Sequence, residues 1–269
     1  MPRRGLTSDL STAGFAALQS VGLDPVGQVM GSCVWHFGYL PYACGARSGA
    51  GASVQTQPVR SYAASLRTAR ATALLRLREQ CVALGGHGVV NVHLEWSRFH
   101  GVNRTQEITA TGTAVRVRSA THPRYVFTAA LPGQDVASLL QAGWAACAVA
   151  YGVSVAARHD DWATGSRVRR ARNSEVPSLT DLTTTVRRWC RDDLRGEVRS
   201  TGGRGAVLGT QGLTVWHHEP AAGHSDHLAI ATLIGTALVR VPRKAGAPAA
   251  PAPLSMLRLS TRPTARSTR

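Results

Sequence analysis

A glycine-punctuated block occurs twice in this chain, as Gly85-Gly86-His87-Gly88-Val89-Val90 and again as Gly202-Gly203-Arg204-Gly205-Ala206-Val207. Each block is followed by a β-rich run that reaches Gly112-Thr113-Ala114 in one case and Gly235-Thr236-Ala237 in the other. The spacing between the copies is too long for a solenoid, whose repeats run roughly 20–50 residues, and it predicts two homologous domains instead. The expected division is a first module over 9–118, a second over 124–243, and a disordered, basic, Pro/Ala-rich tail over 244–269. At 269 residues the chain is long enough for two small cores.

The order of elements repeats as well. In the first copy, Asp9 or Ser11 is placed to cap a short helix through Phe15 and Leu18 that stops near Gly22 and Pro25. Val26 to Tyr39 reads as a strand, and Gly45 to Gln57 as a mobile loop. Leu66, Ala69, Ala73, Leu77, Cys81 and Leu84 recur at helical spacing, so Ser61 to Leu84 is expected as one amphipathic helix with Arg67, Arg70 and Arg78 off its apolar stripe. Val90, Val92, Leu94 and Trp96 then alternate with Asn91, His93, Glu95 and Ser97, the pattern of a half-buried strand, and Ile108 to Val117 supplies another. The second copy offers a strand near Tyr125 to Leu131, a helix from Gln134 to Gln141, a strand from Trp144 to Ala157 and a polar loop from Arg158 to Glu175. Ser178 to Asp181 resembles a capping box for a helix striped by Leu182, Val186, Cys190, Leu194 and Val198. The expected class is α+β: two tandem copies of a small two-layer α/β sandwich with a mainly antiparallel sheet, each a strand-helix-strand-strand core plus a short N-terminal helix.

Charge narrows the partners. The formal net charge is +16, and a strongly basic surface attracts phosphate whatever its sequence. Yet Lys244 is the sole lysine, the arginines sit in an Ala, Gly and Thr-rich background, and six of the cations (Arg243, Lys244, Arg258, Arg262, Arg266 and Arg269) fall in the C-terminal stretch from Arg243 on. No basic block interleaved with aromatics is present, so nucleic acid is the alternative partner and self-association the favoured one. The nucleic-acid alternative would be favoured by one continuous cationic face formed by Arg67, Arg70, Arg78, Arg187, Arg188 and Arg191. Five cysteines without a CxxC pair, and no apolar leader, predict reduced thiols in a cytoplasm. Ala142 to Ala157 is too short and too rich in small residues for a membrane span.

The helix ending in Ala83-Leu84-Gly85-Gly86-His87-Gly88-Val89-Val90, followed by two strands ending in Gly112-Thr113-Ala114, resembles the YbjQ-like family of heavy-metal-binding domains. The second half, through Ala142-Gly143-Trp144, Gly152-Val153-Ser154, Ala157-Arg158-His159-Asp160-Asp161-Trp162 and Ile234-Gly235-Thr236-Ala237, is similar to two-copy members from actinobacteria. The resemblance spans about residues 9 to 243. It implies a small α/β sandwich, assembly into ring-like oligomers, and binding of a divalent transition metal.

The residues offer one dense set of metal donors. His217, His218, Glu219, His224, Asp226 and His227 fall within Trp216 to His227, in what reads as a hairpin loop before the last strand. Imidazole with carboxylate suits Zn, Ni, Cu or Fe, and a loop lets ligands converge. The competing reading is a solvated polar turn, since His217 and His218 point to opposite faces if they lie in a strand. His159, Asp160 and Asp161 form a second candidate set, which otherwise caps a helix or pairs with arginines. The first copy has only His100 and Glu107 in the corresponding region. Catalysis has less support: Cys33 and His36 sit at an odd strand offset, His93 and Glu95 share only a solvent face, and the glycine runs lack the Lys-Ser/Thr of a phosphate loop. The chain is expected to be non-enzymatic.

Overall fold

The computed structural model describes residues 8–38, 55–119, 122–168, 173–221 and 224–241. The tail 244–269, and the part of the expected mobile loop before residue 55, lie outside them.

Helix α1 (Thr12–Ser20) is capped by Ser11, whose hydroxyl accepts from the Gly14 amide. It ends at Gly22 in the left-handed region, and β1 (Leu23–His36) begins at once. Pro25 is inside that strand because it sits where the register slips against the neighbouring strand, a place that needs no ladder donor. Next come β2 (Gln57–Pro58), the long helix α2 (Arg60–Ala83), β3 (Gly88–Arg98) and β4 (Thr105–Val117). The later half supplies β5 (Phe127–Thr128), α3 (Gly133–Gln141), β6 (Trp144–His159), α4 (Trp162–Val168), α5 (Pro177–Ser200), β7 (Gly205–Ala221) and β8 (His224–Arg240).

The strands form two four-stranded sheets, ordered β1-β4-β3-β5 and β2-β6-β8-β7, antiparallel except where β5 joins β3. The fold is α+β. Each sheet takes an edge strand from the other part of the sequence: β2 pairs with β6, and β5 pairs with β3. Helix α2 lies between the sheets. Its Ala69, Ala73, Leu77 and Cys81 pack on Val29, Cys33, Val89, Val92 and Ile108 of the first sheet. Its N-terminal part, with Val59, Ala63 and Leu66, packs on Tyr151, Val153, Val155 and Ala157 of the second. Helix α5 covers the opposite face of that second sheet through Leu182, Val186, Cys190, Leu194 and Val198. Strand β6 is therefore buried on both faces from Ala148 to Ala157, whereas β1 alternates between buried and exposed. Gly31 and Gly152 permit the close helix approach, since a Cβ would lie 2.2 Å from the Ala73 carbonyl oxygen or 2.4 Å from that of Cys190.

Four expectations change. Asn91 adopts a φ of 55° at a bulge in β3, so Val89 and Val92 face α2 while Val90 faces α1 and α3 in a separate cluster with Leu18 and Val136. The strand expected over Tyr125 to Leu131 contracts to Phe127–Thr128. The polar loop from Arg158 holds the end of β6 and all of α4. The capping box does not form: α5 starts at Pro177, Val176 makes no side-chain cap, and Asp181 instead accepts from Thr56 (2.7 Å) and Arg158 (3.1 Å).

Candidate functional site at the last hairpin

The histidine-rich segment is not a loop. Strands β7 and β8 continue through it in register, placing His217 opposite His227 and His218 opposite Asp226. Strand β6 ends alongside, with Arg158 opposite His227 and His159 opposite Asp226. Both sets of residues singled out in the sequence thus meet at one end of the second sheet, because three adjacent strands finish there.

The contacts form two groups. His159 Nδ1 lies 2.7 Å from Asp226 Oδ1, and Asp226 is fully buried. The other Asp226 oxygen is also buried and has no hydrogen-bond partner among the described residues. Beside this pair, His227 Nδ1 lies 2.8 Å from Asp160 Oδ1, Ser225 Oγ donates to Asp160 Oδ2 at 3.0 Å, and His217 Nε2 lies 2.7 Å from that same hydroxyl. The His217 and His227 rings stand edge to face with centroids 5.6 Å apart, and the Asp160 amide donates to the Ser225 carbonyl at 2.8 Å. Ser225 is the member that sequence reading missed, since only cross-strand register reveals that it joins His217 to Asp160.

Asp161 has a different role. Its carboxylate accepts from the Thr164 amide at 2.7 Å at the start of α4, and the hydrogen bonds from Thr164 hold its pKa below the ordinary value. Glu219 is exposed, and the side chains of His218 and His224 lie outside the described residues.

The donor types suit a borderline divalent metal, and a carboxylate on one imidazole nitrogen is the usual support for a ligating histidine. The unpartnered buried oxygen of Asp226 is an available lone pair. Among the described residues, however, no three His, Cys, Asp or Glu side chains converge as a metal-holding group. The described geometry is paired rather than convergent, and a metal would need donors from His218 or His224 to complete it.

The arginines give no single cationic face. Arg70 is buried 3.3 Å from the Tyr151 ring centroid and 4.8 Å from that of Trp96, and Arg67 pairs with Asp193 at 2.6 Å. Arg187, Arg188 and Arg191 are exposed on α5. A cleft of about 370 Å³ lies near Arg188, lined also by Thr56, Arg158, Asp181 and Trp189. No described helix is long and apolar enough to cross a membrane.

A family model described as "putative heavy-metal-binding" matches residues 51–118, the stretch that carries α2, β3 and β4. The encapsulin nanocompartment protein of Mycobacterium tuberculosis is 31% identical over 210 residues, covering 76% of this chain and 76% of that protein.

Proposed function

The chain belongs to the YbjQ-like family, and from that membership we propose that it is a non-enzymatic protein that assembles with copies of itself. The observation that carries this reading is a pair of open, apolar sheet margins. Met30 and Val34 on β1, and Leu208 and Val215 on β7, are large hydrophobic side chains left in solvent along strands with no further neighbour among the described residues. Exposed strand edges of this kind are templates for association, and natural proteins otherwise blunt them with charge or cover. The similarity to a protein named for a nanocompartment agrees with an assembling role. The test is the solution mass of the tag-free chain: a multiple of 28.5 kDa is expected, and a single-chain particle across the accessible concentration range would refute the reading.

A second reading rests on the hairpin cluster, which we assign as the place where a divalent transition metal would be held. Because β7 and β8 run through it as strands, His217 and His227 share one face, where Asp160 orients His227, while the register positions of His218, Asp226 and His159 fall on the other, so the ion would be held by one of these two sets and not by both. Such an ion would supply a charged anchor between β6, β7 and β8. Elemental analysis of the purified protein is expected to find stoichiometric metal that disappears when His217, His218, His224 and His227 are changed to Ala. Metal-free protein after growth and purification in Zn, Ni, Cu and Fe would remove this reading and leave the first untouched.

A further inference from the structure

The junction inside the chain has two components, and among the described residues the corresponding positions at its two outer margins have neither. Along the repeat, β3 corresponds to β7 through Gly88 and Gly205, and β1 corresponds to β6 through the bulges at Pro25/Gly27 and Ala146/Ala148. Strand β3 is covered by β5, which brings Phe127 against Gly88 and Thr128 against Val89. A Cβ on Gly88 would sit 2.1 Å from the Phe127 ring, whereas a Cβ on Gly205 would meet nothing within 4 Å. Other corresponding glycines do not differ in this way: Gly31 and Gly152 both press on helix backbone, and Gly86 and Gly203 both lie against a helix end and an alanine. The strand residues follow the same contrast. Val90 is fully buried, while its counterpart Val207 is 36% exposed.

The second component is the cover on β6. There Pro58 and Gln57 pair with Ala156 and Ala157, the Val59 amide donates to the Val155 carbonyl at 2.8 Å, and Tyr151 and Val155 are 7% and 2% exposed beneath α2. The counterparts on β1, Met30 and Val34, are 49% and 50% exposed.

The segments that would fill both margins are present in the same chain. Leu6-Thr7-Ser8-Asp9-Leu10-Ser11 matches Phe127-Thr128-Ala129-Ala130-Leu131-Pro132 in its position before a nine-residue helix. Leu6 and Thr7 lie outside the described residues, but the segment leading from them is placed equivalently: the Asp9 amide donates to Thr113 Oγ1 (3.4 Å) as the Ala130 amide donates to Thr236 Oγ1 (2.9 Å). Ser174-Glu175-Val176 precedes α5 as Gln57-Pro58-Val59 precedes α2.

Resting on the self-association reading, we infer that the chain joins its copies head to tail by repeating its internal junction. The segment at Leu6-Thr7 of one copy adds parallel to β7 of another, with Leu6 over Gly205 and Thr7 beside Ala206. In return, the donor copy's β1 receives Ser174-Glu175 of that other copy beside His36 and Trp35, with Val176 over Val34. The contact is heterologous, so it propagates until rotation closes a ring. It is more polar than the internal one: Thr180 and Thr183 on α5 stand where Ala63 and Leu66 stand on α2, and Thr184 and Arg76 replace the Arg67–Asp193 pair. Main-chain bonds to β7 and the seating of Leu6 against Gly205 therefore dominate it.

The experiment compares native mass and circular dichroism for the unchanged protein, Gly205→Phe and Leu6→Asp. Gly205 has open space around it and no left-handed φ, so the larger residue is accepted by the single chain. Both variants are expected to fall to the single-chain mass with an unchanged spectrum. Mixed together they should form a two-chain particle and nothing larger, because Gly205→Phe keeps an intact donor and Leu6→Asp an intact acceptor. Two variants that assemble like the unchanged protein, or single-chain variants that fail to complement, overturn this junction while self-association stands. An unchanged protein that is itself a single chain overturns both.

Discussion

Arg70 shows how a charged residue becomes structural when its helix is covered on two sides. It lies off the apolar stripe, yet it is 3% exposed because α2 meets Tyr151 of the second sheet there as well as the first sheet. Burial lowers its pKa to about 10, which leaves it charged at neutral pH. Its Nε and Nη1 have no hydrogen-bond partners among the described residues, so ring stacking and packing of the stem are what hold it. Arg70→Ala should cost about 3 kcal/mol in urea denaturation through lost stacking and a cavity. Arg70→Met should stay within about 1 kcal/mol of the parent, since an apolar residue of similar length removes the buried charge. An equal loss in both variants would assign Arg70 a specific charge-dependent contact instead. The buried thiols supply a second prediction at this scale. Burial raises Cys81 to about 11 and Cys190 to about 12, and it raises Cys33 as well, so none of the three should react with a disulfide reagent in the native protein at neutral pH. Because the folded values of Cys81 and Cys190 lie above the ordinary 9.0, the stability they confer is complete below pH 9 and falls as pH rises. Arg70, with its value depressed, works in the opposite direction. The urea midpoint of a Cys81→Ala, Cys190→Ala variant should accordingly fall less steeply with alkali than that of the parent, whatever its starting level.

At the scale of elements, what could be read from sequence was whatever a segment determines by its own periodicity. The buried sets of α2 and α5 follow their stripes, and Ser11 caps α1 as its position before an apolar run suggests. The pairing of short segments with distant chain was not legible. Strands β2 and β5 are two residues long, and nothing in Gln57-Pro58 or Phe127-Thr128 reports that each will join the other sheet. The bulge at Asn91 was hidden because Val90, Val92, Leu94 and Trp96 alternate cleanly in sequence, although one extra residue turns Val90 to the opposite face. The hairpin cluster was half legible: the donors could be named, but reading them as a loop missed the register that joins His217 to His227 and brings β6 beside them. Glycine positions turn this into a measurement. Gly152→Ala drives a Cβ to 2.4 Å from the Cys190 carbonyl oxygen and should cost about 3 kcal/mol through displacement of α5. Gly205→Ala should change single-chain stability by less than about 1 kcal/mol, since its Cβ enters open space.

For the whole molecule, the placement of α2 couples stabilities that a division into two units would separate. One helix provides cover for β1, β3 and β4 through Ala69, Ala73 and Leu77, and for β6 through Val59, Ala63 and Leu66. The Arg67–Asp193 pair between α2 and α5 adds little, because both side chains remain partly in solvent and such pairs contribute about 0–1 kcal/mol. Apolar burial is thus the main coupling, and losing either sheet strips a large part of the other's core. The single chain should therefore melt in one transition with calorimetric and van't Hoff enthalpies in agreement. Leu66→Ala, at a site 3% exposed, should remove about 3 kcal/mol and speed hydrogen exchange in β6 and β8 together with α2. Two resolved transitions, or faster exchange confined to α2 and the first sheet, would show that the second sheet holds its structure without the helix. With coupled behaviour, β6 is stable because the N-terminal part of α2 covers it, and the proposed junction would bring the same kind of cover to the exposed face of β1.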